Sequence, residues 1–514
     1  MLPDYPVSCL FVVKTQLQIQ LEKQNSSYKQ IVKSTGIFGG VQVVSILIGL
    51  VRNKVLAVWL GPLGFGLISL YQTIIDLIKS TTIMGLDTAG VRDIAENADN
   101  VDLQYRKISV LRFWIGSVAI LGSLICIVFC YPISVFVFED GSYALQIALL
   151  SVCLLFTILS TGQAVILQGT RNLVYMAKFN VLGNITGLIV SLILYYFYGV
   201  KAIIPAFITG SIILFFFSSF YVRKLRIPRI KIERSVAFHQ GLSTLKLGFF
   251  IVSVSIMEHL SMLLIKSFLT RQAGIEAVGI VQPAWTISVS YIGLILKSMG
   301  TDFFPRLCTI SNRPLRMRQL VNEQTYIALL AALPIMVIMM VFSRLVLPLL
   351  FSVEFLDGVS VLQWYIAGTF FKVLSWPLAF VLLARGKGLH FLLTEIVYFG
   401  VYLSASYFLY PLWGINSIGI AYLLSYIAYL VVLYIYTSNT LKFRWSRQNI
   451  LFTGFCLALL LISGLSTIYF KNYWWVSAIL ISLISVSVSL YLFNNIFSLQ
   501  ELFKNIRRRF LNKK

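Results

Sequence analysis

The chain of 514 residues is 58% hydrophobic and only 12% charged, with a mean hydropathy of +0.85. That balance excludes a soluble globular domain. The 42 Lys and Arg against 19 Asp and Glu give a net charge of +23, but most of these cations sit in segments between apolar runs, which argues against a nucleic-acid partner.

In chain order, residues 1–27 carry a short apolar patch, Val7 to Val13. Asp4 precedes it and no small-residue cleavage site follows, so the segment reads as a cytoplasmic extension rather than a signal peptide. Beyond it come about fourteen apolar stretches of roughly 20 residues, the length that crosses ~30 Å of hydrocarbon. They run over 31–60, 64–90, 107–131, 144–168, 173–198, 202–222, 243–269, 276–301, 321–347, 360–384, 389–410, 416–437, 450–469 and 474–496. The predicted fold is an all-α integral membrane protein, because a barrel strand is shorter and alternates polar with apolar residues. Basic residues collect in alternate connections: Arg223, Lys224, Arg226, Arg229, Lys231 and Arg234 in one, Arg306, Arg313, Arg316 and Arg318 in another, and Lys504 to Lys514 in the tail. The opposite loops hold only Lys201, Arg271 and Lys471. This asymmetry places both termini in the cytoplasm, with an even number of spans. The cysteines form neither a disulfide framework nor a metal-ligand cluster, and no phosphate-cradling glycine loop occurs, so no cofactor and no enzyme chemistry is expected.

An internal repeat divides the spans. Met84-Gly85-Leu86-Asp87 followed by Arg92 returns as Met299-Gly300-Thr301-Asp302 followed by Arg306, 215 residues later. Lys54 and Lys266 match at a shift of 212, and Gly66-Leu67 and Gly279-Ile280 at 213. Six spans separate the copies, so they are parallel repeats about an axis along the membrane normal. The expected organisation is two six-helix lobes, 28–235 and 236–440, around a central cavity. Residues 441–514 supply two further helices without counterparts and a basic tail.

Charges inside the apolar runs mark the candidate site. Arg52, Lys54, Lys79, Lys266, Lys297 and Lys372 all fall within spans. A cation in hydrocarbon costs at least ~2.5–3.5 kcal/mol, so such residues face a bundle interior, a partner or water. Arg52, Lys54 and Lys266 lie near one membrane surface and could snorkel, whereas Lys372 sits mid-span. Lys79 lies one helical turn from Asp76, and Lys297 lies near Asp302, so both have local acids to pair with. The acids within spans are Asp76, Glu258 and Glu395, which could bind H⁺ or Na⁺ for coupling. Six bases against three acids suit an anionic cargo such as a pyrophosphate headgroup.

The run Ser34-Thr35-Gly36 through Lys54-Val55-Leu56-Ala57-Val58-Trp59-Leu60-Gly61-Pro62-Leu63-Gly64-Phe65-Gly66-Leu67 resembles Wzx-type O-antigen and polysaccharide flippases. These belong to the superfamily that also holds multidrug exporters and lipid II flippases. The resemblance implies alternating access between two lobes in the bacterial inner membrane. The implied cargo is an undecaprenyl-pyrophosphate-linked oligosaccharide moved from the cytoplasmic to the outer leaflet. It further implies cavity bases that meet the pyrophosphate, with membrane lipids, a polysaccharide polymerase and chain-length proteins as partners. Twelve spans are common in that family, and fourteen with a terminal pair occur in lipid II flippases. An ion-coupled multidrug-type exporter with an acid-dominated cavity, a lipid II flippase and a membrane glycosyltransferase remain the rival readings.

Overall fold

The computed structural model describes residues 7–97, 100–228, 230, 249–469 and 474–496. Arg229, Lys231, Arg234, Lys471 and the tail from residue 497 lie outside them. Among the described residues there is no strand, as expected where lipid offers no hydrogen bonds and the backbone must satisfy itself. The helices are α1 (Val7–Ile83), α2 (Leu86–Glu96), α3 (Val101–Val128), α4 (Cys130–Phe138), α5 (Ala144–Gly169), α6 (Leu173–Tyr198), α7 (Ile203–Arg223) and α8 (Phe249–Trp285). They continue with α9 (Tyr291–Thr309), α10 (Pro314–Val341), α11 (Ser343–Leu350), α12 (Val359–Ala384), α13 (Gly388–Trp413), α14 (Asn416–Leu441), α15 (Arg447–Tyr469) and α16 (Trp474–Ile496).

Among the described residues, eleven segments are long and apolar enough to cross a membrane, and three of them fold back on themselves. α1 breaks at Gly61 (φ +62°) and α8 at Gly274 (φ +81°). α6 passes into α7 through Gly199 (φ +54°). Only glycine adopts these left-handed values at little steric cost, and proline at the next position starts the second limb of α1 with its φ already set. A straight helix would hold Ser45 and Asp76 about 45 Å apart, yet both line one cavity. The chain therefore reverses within α1 instead of running on as one straight helix.

The duplication is written in the helix boundaries. A shift of 213 residues carries Val101–Val128 onto Pro314–Val341 and Gly61 onto Gly274. A shift of 215 carries Ala144–Gly169 onto Val359–Ala384 and Leu173–Tyr198 onto Gly388–Trp413. Gly199 and Gly414 match at the same shift, with φ values of +54° and +52°. α15 and α16 have no counterpart and pack on α10 of the second half. The M-G-x-D motifs differ in form. Gly85 (φ +79°) ends one helix before Asp87 opens the next, whereas Gly300 lies inside the continuous α9. Asp87 Oδ1 accepts from Thr88 N (2.8 Å) while Arg92 pairs with Glu96 (2.6 Å); in the other copy Arg306 pairs with Asp302 (3.2 Å).

The two halves meet on the membrane face that carries Gly61 and Gly274. There the second limbs of α1 and α8 cross at Gly66 and Gly279, each glycine lying against the backbone of the other limb. Ser69 Oγ donates to Gln282 Oε1 (2.7 Å), and these two residues are themselves repeat partners at a shift of 213. Two further contacts repeat the symmetry. Lys54 Nζ donates to Pro348 O of α11 (2.8 Å), and Ser267 Oγ donates to Phe136 O of α4 (2.7 Å). Arg271 adds a second bond to Phe136 O (2.7 Å). The glycines are required because a side chain would hold the limbs apart; the hydrogen bonds then fix the register of one half on the other.

Candidate functional site: a polar cavity between the halves

Beyond that crossing lies a cavity of about 650 Å³. Both limbs of α1, then α5, α6 and α7, wall it from the first half; both limbs of α8 wall it from the second. Arg52, Asp76, Glu258, His259 and Lys266 line it together with Asn184. Of the nine in-span charges singled out in the sequence, four therefore share one wall. Its balance is two bases against two acids, and not the excess of bases that counting along the chain suggests.

Lys266 is held by hydroxyls. Its Nζ donates to Ser69 Oγ (2.7 Å) and Thr73 Oγ1 (2.7 Å), with a longer contact to Ser69 O (3.3 Å). All three acceptors belong to the opposite half. No ion pair to Lys266 forms among the described residues. The ammonium is oriented by neutral acceptors, with the Asp76 carboxylate acting on it from the same wall without an ion pair, and its third N–H is only weakly engaged. Asp76 Oδ1 accepts from Gln72 Nε2 (3.0 Å) rather than pairing with Lys79.

The remaining candidates lie elsewhere. Lys54, the sequence partner of Lys266, belongs to the contact with Pro348. Lys79 and Lys297 are not on the cavity wall, and Lys297 is exposed. Asp302 is engaged with Arg306 and not with Lys297. Asp87, Arg92, Asp302 and Arg306 stand at the opposite membrane face from Gly61, outside the cavity.

Lys372 and Glu395 sit in the interior of the second half, within a group of tyrosines. Lys372 Nζ lies 5.8 Å from the centroid of the Tyr426 ring, and Tyr429 OH donates to Glu395 Oε1 (2.5 Å). Tyr426 packs on Tyr398 (4.6 Å between centroids) and Tyr422 (4.8 Å); Tyr365 and Tyr402 share a hydroxyl contact of 3.3 Å. The shift of 215 explains why this interior is filled. Tyr398, Tyr402 and Tyr426 occupy the positions of Gly183, Gly187 and Ser211, which line the cavity in the first half, and Lys372 takes the place of Thr157. The sequence reading did not isolate this group. Its signal is present as Tyr398 and Tyr402, and Tyr422, Tyr426 and Tyr429, each at helical spacing.

Comparison with known proteins bears on this geometry. The sequence profile described as polysaccharide biosynthesis protein matches residues 55–360, more than half of the chain. The lipid III flippase of Escherichia coli strain K12 is 21% identical over 397 residues, spanning 75% of this chain and 93% of that protein. A Shigella flexneri protein named for O-antigen transport is 25% identical over 392 residues, spanning 74% and 91%. Among solved structures, the lipid II flippase MurJ in an inward closed conformation matches with a TM-score of 0.70 at 16% identity. That match covers 89% of this chain and 98% of MurJ. An inward-facing multidrug resistance transporter of the MATE family, in the MOP superfamily, matches with a TM-score of 0.63 at 15% identity, over 77% and 94%. At such identities the two structures establish the fold.

Proposed function

The chain belongs to the polysaccharide biosynthesis protein family, and on that premise we propose that it is a flippase for a lipid-linked oligosaccharide of undecaprenyl-pyrophosphate type. The direction is from the cytoplasmic to the outer leaflet. The orientation follows from charge: the face that carries Arg223, Arg306, Arg313, Arg316 and Arg318 is cytoplasmic, and the Gly61–Gly274 face is external. The cavity then lies on the cytoplasmic side of a closed external contact, the state that receives cargo from within.

The observation that carries this reading is Lys266, held by hydroxyls rather than by a carboxylate in the cavity wall, with Arg52 lining the same space. Arg52 and Lys266 meet the pyrophosphate oxygens, for which cationic donors make the strongest hydrogen bonds. Asn184 and Gln282 supply amides for sugar hydroxyls. Movement of the cargo outward requires the Gly66–Gly279 crossing and the bonds of Lys54, Ser267 and Arg271 to part. The assay is export of surface polysaccharide in cells whose only copy is Lys266→Met or Arg52→Gln, at matched protein levels. Loss of export with Lys266→Met and its retention with Lys266→Arg support the reading; full export with Lys266→Met and Arg52→Gln combined refutes it.

One observation favours a second reading. Asp76 and Glu258 occupy the same wall, where a carboxylate can take up H⁺ or Na⁺. In a flippase this pair couples turnover to an ion gradient; in a multidrug-type exporter it binds a cationic cargo. Asp76→Asn with Glu258→Gln separates the two, since only an exporter of cations loses cargo binding when the gradient is absent.

A further inference from the structure

A second cavity, of about 590 Å³, lies wholly within the first half between α3, α5 and α7, at the basic membrane face. Arg112 of α3 and Arg223 and Arg226 from the end of α7 line it, and among the described residues no Asp or Glu belongs to its wall. Gln163 and Ser219 also line it, and the Oε1 of one and the Oγ of the other are buried without a hydrogen-bond partner among the described residues. Folded proteins rarely leave buried polar atoms in that state unless something other than protein satisfies them.

Arg112 is half-buried in the hollow, whereas Arg223 and Arg226 are exposed at its rim. Arg226 holds a left-handed backbone (φ +51°), uncommon for a residue with a side chain. Arg112 stands five residues beyond Lys107 along α3, about 7–8 Å further into the apolar part of the span. The second half supplies an internal comparison. Shifts of 213 and 215 put Thr325, Leu378, Tyr434, Ser438 and Leu441 where the first half has Arg112, Gln163, Ser219, Arg223 and Arg226. There the protein itself makes the ties, Arg318 Nε of α10 donating to Leu441 O of α14 (2.7 Å) and Asn449 Nδ2 of α15 donating to Asn322 O of α10 (2.9 Å). The first half keeps an open, cationic hollow at the corresponding place.

We infer that this hollow binds the phosphate of an anionic phospholipid headgroup, at a site separate from the cavity proposed for the cargo. Guanidinium forks match phosphate oxygens in shape as well as charge. The Ser219 hydroxyl donates to the phosphate, and a headgroup hydroxyl such as that of a glycerol satisfies Gln163 Oε1. Leu159, Ile166 and Phe215 give the hollow apolar walls, which suit a lipid better than a free anion. Assignment to the cytoplasmic leaflet rests on the orientation proposed above; the binding itself does not.

The test uses the purified full chain in detergent, read by native mass spectrometry during titration with phosphatidylglycerol or phosphatidylcholine of identical acyl chains. The expected result is one phosphatidylglycerol held per chain, roughly tenfold more tightly than phosphatidylcholine, as one charge-assisted contact allows. Arg226→Gln, whose side chain is exposed and whose loss leaves the helices intact, should reduce that preference, and Arg112→Gln should abolish it. Arg306→Gln, a basic-face arginine outside the hollow, should leave it unchanged. If Arg112→Gln fails to fold, Arg226→Gln and Ser219→Ala decide the matter. Equal retention of the two lipids, or an unchanged preference in Arg226→Gln, overturns the proposal. Displacement of phosphatidylglycerol by inorganic phosphate or pyrophosphate at low millimolar concentration also overturns it, since the site would then belong to a soluble anion. None of these readouts depends on polysaccharide export, so this site and the transport function fail independently.

Discussion

The crossing of Gly66 and Gly279 gives the sharpest prediction. A Cβ placed on Gly279 would stand 2.7 Å from the carbonyl carbon of Pro62 and 3.0 Å from Gly66 N, and closer still to the Pro62 oxygen. Non-bonded carbon atoms rest at about 3.5–4.0 Å, so Gly279→Ala forces the two limbs apart by about 1 Å. Because the obstructing atoms are backbone, no rotamer change relieves the strain, and overpacking of this kind costs ~1–3 kcal/mol. That cost falls only on the state in which the limbs touch. The ratio of closed to open protein at the Gly61–Gly274 face should therefore drop by about 5–150-fold. Spin labels at Leu63 and Glu276, which are exposed repeat partners next to the crossing, read that separation directly. In the parent chain they should report one short distance; in Gly279→Ala, a population shifted to longer distances, together with slower export. Gly293→Ala is the control, since a Cβ there meets nothing within 4 Å. If Gly279→Ala and Gly293→Ala gave the same distance distribution and the same export, the crossing would not govern closure.

Lys54→Met removes a charged donor from Pro348 O, a bond of the kind worth ~1.5–3 kcal/mol; the Leu63–Glu276 labels should show partial opening, more so when Ser267→Ala is added. An unaltered distance in the double variant would remove these bonds from the closing mechanism. Ser69→Ala with Thr73→Ala strips Lys266 of its hydroxyl acceptors, and export should fall severalfold at normal protein levels while Lys266→Met abolishes it. Tyr429→Phe leaves the Glu395 carboxylate without its 2.5 Å donor, and thermal unfolding should show a loss of ~1–3 kcal/mol that Glu395→Gln in the same background largely restores. Arg306→Gln breaks an exposed pair with Asp302 and should change stability by less than ~1 kcal/mol.

The large-scale architecture was legible in the sequence because it depends on features read along the chain. Apolar length marks the spans, and the paired glycines at 66 and 279, with the M-G-x-D motifs, give the repeat and its shift. The direction each charge faces was not legible, because it depends on rotation about the helix axis and on the neighbour packed there. Lys54 and Lys266 show this well. They occupy nearly equivalent repeat positions, yet one reaches across to a carbonyl of α11 and the other turns to hydroxyls at the cavity wall. The pairing of Lys79 with Asp76 looked natural at one helical turn, but Gln72 lies as near on the other side of Asp76 and takes the bond. The tyrosine group escaped notice because its members come from three helices and only their packing joins them.

With Tyr398, Tyr402 and Tyr426 standing where the first half has Gly183, Gly187 and Ser211, the two halves relate as a mould and its casting. One copy kept the void, and its twin was poured full of rings. A substrate therefore meets an asymmetric container inside a symmetric frame, and mutations that alter what is carried should accumulate in the first copy. Those that alter how firmly the frame holds its shape should accumulate in the second.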